Sequence, residues 1–144
     1  GDIFGLEAFA EPSFAAEAMG DAVVIGWRRS RMAALTGADP AFREQVLNAA
    51  LRSLERAQNH LMLLGRKSAS EKIASFLLDM STRLGGSRFE LPMQRADIAD
   101  HLGLTIETVS RTLTRFARDG VIALRSASRA VELRNRTALQ QLDA

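Results

Sequence analysis

The stretch from Arg95 to Thr114 leaves a chain few ways to fold. Ile98 and Leu102 fall on one side of a helix, Val109, Leu113 and Phe116 on one side of a second, and only a tight corner separates them. Gly103 can end the first helix, because a left-handed residue costs little without a Cβ. Leu104 is placed to plug the corner, and Ala99 is small where the helices must approach closely. Thr105 is the expected N-cap of the second helix, Glu107 lies in its first turn, and Gly120 follows its end. These slots together describe a helix-turn-helix, with an αα-corner of an ordinary helical domain as the other reading.

The outer face of the second helix carries the chemistry. Glu107, Ser110 and Arg111 stand at i, i+3 and i+4, and Thr114 and Arg118 continue the same face. Arg111 can donate twice to O6 and N7 of guanine, Glu107 can accept from the N4 amine of cytosine, and Ser110 can reach a base or a phosphate. The phosphate backbone repels a carboxylate, so Glu beside Arg points to base reading rather than generic attachment. A surface pair between Glu107 and Arg111 would stabilise the helix by only about 0.2–0.5 kcal/mol. Arg95, Thr105 and Thr108, near the two helix starts, are expected to position phosphates together with Thr114 and Arg118. Arg125 and Arg129 fall in a turn between two short strands, where they serve either as solvated turn residues or as phosphate contacts.

Upstream, residues 39–64 read as one helix, with Asp39 as N-cap, Pro40 as first helical residue and Gly65 as stop. Leu47, Ala50, Leu54, Ala57, Leu61 and Leu64 repeat at spacings of 3 and 4, a heptad seam that fits either packing within one domain or a dimer. Val46, Leu51 and Met62 form a second apolar set, which favours one face inward and one toward a partner. Residues 1–31 look extended, with β-branched Val23-Val24-Ile25 and turn signals at Glu11-Pro12-Ser13 and Gly20-Asp21. So few strands cannot bury two faces of a sheet, so the chain is expected to begin inside a larger β-domain. Ser68 and Glu71 fit a capping box ahead of a helix carrying Ile73, Phe76, Leu77, Met80 and Leu84. Strands are expected at Phe89–Leu91, Val121–Leu124 and Ala130–Leu133, and a last helix at about Thr137–Leu142.

Composition narrows the function classes. No run approaches a transmembrane length, no signal peptide is visible, and Cys is absent, so a cytoplasmic location is expected with no disulfide or thiolate-held cluster in this segment. Residues 1–65 carry a net charge of −2 and residues 66–144 of +4, and all but two of the 19 basic residues are Arg. An Arg-rich half fits a solvated surface as well as nucleic-acid binding. His60 and His101 lie on separate helices without a catalytic arrangement of Asp, Glu or Ser, which argues against an enzyme.

Leu104-Thr-Ile-Glu-Thr-Val-Ser-Arg111 resembles the recognition segment of the Crp/Fnr superfamily of bacterial transcription regulators, nearest its Fnr/FixK-like branch, whose Glu-x-x-Ser-Arg signature stands at Glu107, Ser110 and Arg111. Leu91–Ala99 is similar to the segment before it, and Gly1–Glu7 resembles the late β-roll of the sensory domain. The resemblance implies a mainly α fold with small β: a partial β-roll remnant over 1–38, a long dimerisation helix over 39–65 and a C-terminal winged helix-turn-helix over 66–144. It also implies a homodimer on double-stranded DNA, with TTGA-type half-sites in an inverted repeat about 34 Å apart, and contact with RNA polymerase. Members that bind cyclic AMP carry an Arg-Ser or Arg-Thr pair to hold the phosphate, whereas Pro12–Glu17 has no Arg. No cofactor is therefore expected, as in FixK-like members without a ligand. Gln94 replaces the usual Thr or Ser before Arg95, which should weaken that cap. The competing reading is a ligand-sensing signalling module that acts through protein partners.

Overall fold

A computed structural model describes residues 3–5, 16–18, 20–125 and 129–143. Its elements are α1 (Arg29–Ala38), α2 (Pro40–Arg66), α3 (Ala69–Leu84), β1 (Arg88–Glu90), α4 (Arg95–Leu102), α5 (Ile106–Arg118), β2 (Ile122–Leu124), β3 (Ala130–Leu133) and α6 (Arg136–Asp143). The chain divides into two units, Gly1–His60 and Leu61–Ala144, with the boundary inside α2.

In the first unit the expectation of extended chain through residue 31 is corrected, because α1 begins at Arg29. The β-branched run stops at Ile25, and Met32, Ala33, Ala34 and Leu35 are good helix formers. Val23, Val24 and Ile25 are exposed and belong to no strand. A strand needs a neighbour to take its ladder hydrogen bonds, and the described residues before α1 supply none. The turn expected at Glu11-Pro12-Ser13 and most of the Gly1–Glu7 segment lie outside the described residues. Arg43 closes the carbonyl end of α1, donating from Nε to Thr36 O at 2.7 Å and from a terminal nitrogen to Gly37 O at 3.3 Å.

Asp39 caps α2 as expected, its Oδ1 accepting from the amides of Ala41 at 2.9 Å and Phe42 at 3.2 Å. Gly65 does not stop the helix, which reaches Arg66. Seam residues Leu47, Leu54 and Leu61 are 57%, 55% and 68% exposed; Leu64 and Ala57 are exposed and Ala50 half-buried. Inward-facing positions are Ala49, which is buried, and Leu63, which packs on the core of the second unit.

The second unit is built around α3. Ser68 N donates to Glu71 Oε2 at 2.6 Å and Glu71 N to Ser68 Oγ at 3.4 Å, the reciprocal pair of a capping box. From that start Ile73, Ala74, Phe76, Leu77 and Met80 are buried against α4, α5, α6 and the sheet, while Leu84 is exposed. The sheet is antiparallel with β3 in the middle, Arg88 facing Glu132 and Ile122 facing Leu133. Arg88 and Glu132 also form a cross-strand ion pair at 2.9 Å.

Lys67 joins the start of this unit to its end. Its Nζ donates to Asp143 Oδ1 at 2.7 Å, Asp143 O at 2.5 Å and Ser75 Oγ at 3.1 Å. Burial pushes the Asp143 carboxyl up, but hydrogen bonds from Lys67 and Ser75, with the Lys67 charge, outweigh it and hold the group below the usual aspartate range. A carboxyl depressed in the folded state stabilises above its unfolded-state pKa and loses that contribution as pH falls through the folded value. Stability is therefore expected to fall in acid below about pH 4. Asp143→Asn should flatten that part of a plot of urea midpoint against pH, and an unchanged plot would exclude the linkage.

Candidate nucleic-acid interface

The corner between α4 and α5 is set by backbone geometry. Gly103 takes φ 59° and ψ 46°, the left-handed region, and Leu104 N donates back to Ala99 O at 2.9 Å. Ala99 is 2% exposed, in keeping with the close approach. Ile98, Leu102, Val109, Leu113 and Phe116 close the core beneath the corner, and Leu104 packs at its edge. Thr112 shares the buried side of α5, which apolar spacing alone did not indicate. Gln94 N donates to Asp97 Oδ2 at 2.7 Å, so the entry to α4 is held by Asp97 despite the absent Thr or Ser.

Burying that side leaves the other side of α5 open. Glu107, Arg111, Thr114 and Arg118 are exposed and Ser110 is half-buried. With Arg115, residues Ser110, Arg111, Thr114 and Arg118 line a shallow depression on this face. Thr105 caps α5, its Oγ1 accepting from Thr108 N at 3.2 Å. The Glu107 carboxyl is held below the usual range, first by its own backbone N–H and then by the Thr105 hydroxyl, against a smaller desolvation. Glu107 therefore stands as an ionised carboxylate at the positive end of the helix. Among the described residues no ion pair joins it to Arg111, whose guanidinium is exposed.

The surrounding residues divide. Arg95 and Arg125 are exposed. Arg118 is paired with Asp119 at 3.2 Å. The Thr114 hydroxyl donates to Ser110 O at 2.8 Å, and the Thr108 hydroxyl lies 3.1 Å from that of Thr105. Arg129 is engaged at the root of the hairpin, donating to Pro92 O at 3.1 Å and lying 3.9 Å from Glu90 Oε1. The turn expected at Arg125–Arg129 lies partly outside the described residues. Arg115 was not anticipated: it donates to Ser70 Oγ, tying α5 to the first turn of α3, and lies 5.8 Å from the centre of the Phe116 ring. The tie to Ser70 depends on the third dimension and has no signal in helical spacing. His101 is exposed with its ring 6.1 Å from that of Phe76, and His60 is half-buried.

A helix-turn-helix followed by a two-stranded wing, with a carboxylate and guanidinium on the open side of its second helix, defines the winged helix-turn-helix class. The family model of the Crp-like helix-turn-helix domain matches residues 71–142, half of the chain. The chain belongs to the Crp/Fnr family of transcription regulators, in its FixK branch. The nitrogen fixation regulation protein FixK of Azorhizobium caulinodans is 46% identical over all of this chain and 60% of that relative. The fumarate and nitrate reduction regulatory protein of Escherichia coli is 33% identical over 99% of this chain and 59% of its own length. The solved structure of FixK2 from Bradyrhizobium japonicum superposes with a TM-score of 0.76 at 42% identity, over 81% of this chain and 59% of that one. The chain thus spans about 60% of the length of these relatives.

Gly103→Ala tests the corner. Its Cβ would lie 3.5 Å from Leu64 Cδ2, an ordinary contact, so the cost comes from the left-handed backbone, about 1–2 kcal/mol. Thr105→Ala should cost about 1 kcal/mol through the lost cap. Denaturant unfolding reads both, and unchanged midpoints would contradict the corner geometry.

Proposed function

We propose that this chain is the DNA-binding and dimerising part of a transcription activator that reads an inverted repeat of TTGA-type half-sites as a homodimer. The carrying observation is the open guanidinium of Arg111 one turn from an ionised Glu107, on a helix whose other face is buried. The one G·C pair of TTGA offers a guanine to Arg111 and a cytosine to Glu107, with Ser110 between them. Arg95 and Arg125 hold phosphates, while Thr105, Thr108, Thr114, Arg118 and Arg129 act first through the protein contacts they already make. The exposed ridge of Leu47, Leu54, Leu61 and Leu64, with Ala50 and Ala57 between, packs against the same ridge of a second copy. Activation through RNA polymerase and a cytoplasmic location accompany this reading; a relative at 40% identity is named transcriptional activatory protein AadR. No helix is long and apolar enough to cross a membrane among the described residues.

Selection from random duplex DNA with the full-length protein should return a palindrome with half-site centres about one helical turn apart. No enriched sequence would favour a module acting through protein partners. Arg111→Ala should weaken binding to the selected site by about 1–3 kcal/mol and relax choice at one position per half-site. Arg125→Ala should weaken all sequences alike and lower the salt slope by about one phosphate. Leu54→Glu should give monomers in sedimentation and lose the two-half-site complex; a dimer of unchanged strength would remove the seam from the interface.

A further inference from the structure

Among the described residues, the only buried charged side chain is that of Lys72, 8% exposed on α3. A buried ammonium is costly unless a partner compensates it. Its Nζ donates to Leu102 O at 3.1 Å. That carbonyl belongs to the last residue of α4, directly before the left-handed Gly103.

The carbonyl groups that end α4 explain what the lysine does. A helix leaves its last four C=O groups without helical partners. Here the turn itself covers two of them, since Leu104 N donates to Ala99 O and Gly103 N reaches Asp100 O at 3.3 Å. Leu102 O lies farther round the turn, and its donor comes from another helix. A cation at the negative end of a helix is also favoured by the helix dipole. Lys72 thereby ties the corner to α3, the element around which the core is packed, three residues before the N-cap Thr105. From that point the direction of α5 is set.

Base reading depends on that direction. Phosphate contacts fix where the domain sits on a duplex, and bidentate bonds to a base edge tolerate only a small error in side-chain placement. We propose that Lys72 is a positioning residue for base reading: by capping Leu102 O it holds the corner so that Glu107, Ser110 and Arg111 meet base edges in register. This rests on the DNA-reading function proposed above. Lys72 itself touches no phosphate, since its ammonium is inside the fold.

The test compares Lys72→Met, close in length and without the charge or donor, with the wild-type full-length protein. Binding is measured to the duplex that wild type selects and to a random-sequence duplex of equal length, over a range of salt, well below the melting temperature of each protein. The Met variant is expected to lose at least tenfold in affinity for the selected duplex. Its affinity for random duplex should stay within twofold, and its salt slope should not change. A parallel loss on both duplexes with a lower salt slope would make Lys72 a phosphate contact and overturn the proposal. Unchanged discrimination would overturn it as well. If the Met variant does not fold, Lys72→Gln, which keeps an N–H donor on a shorter stem, should lose discrimination in the same direction but less. In the wild-type protein the Lys72 ammonium protons should exchange with water far more slowly than those of free lysine in nitrogen-15 spectra. Equal exchange rates would refute the buried bond without any variant. Failure of wild type to discriminate any sequence would instead remove the DNA-reading function itself.

Discussion

Everything in the second unit turns on one backbone conformation, the left-handed Gly103 with Leu104 N returned to Ala99 O. This corner turns the chain so that Ile98 and Leu102 meet Val109, Leu113 and Phe116 in one core. Once the apolar side of α5 is committed inward, its polar side has to face water. The exposure of Glu107 and Arg111 is thus a by-product of burial.

The parts of the fold legible in the sequence are those fixed by local rules. The capping box at Ser68 and Glu71, the Asp39 cap, the corner at Gly103 and the strand Ala130–Leu133 each rest on a few neighbouring residues with a known geometric preference. The boundaries that moved are those where local rules are weak. A glycine one residue from a helix end can be carried inside it, as Gly65 is, and α1 starts at a residue without any side-chain cap. The open face of α5 could be laid out from spacing alone, whereas the occupied state of its neighbours could not. Arg129 on Pro92 O and Arg115 on Ser70 are settled by which elements pass close together.

The two kinds of cation divide by environment. Both lysines, Lys67 and Lys72, are turned toward carbonyl or carboxylate oxygen at the margins of the core. A compact ammonium on a flexible stem suits a single buried acceptor, whereas the planar guanidinium suits bidentate contacts at a wet surface. The arginines of the open face of α5 and of the wing, Arg111, Arg118 and Arg125, are exposed.

The root of the wing is fastened to the segment that leads into α4. Leu91 N donates to Arg129 O, and the Arg129 guanidinium grips Pro92 O. A load applied at the hairpin is therefore carried by a short, stiff lever to the first helix of the motif instead of being absorbed in a loose loop. Anything that tugs on the wing also tilts the corner, and the two behave as one mechanical part.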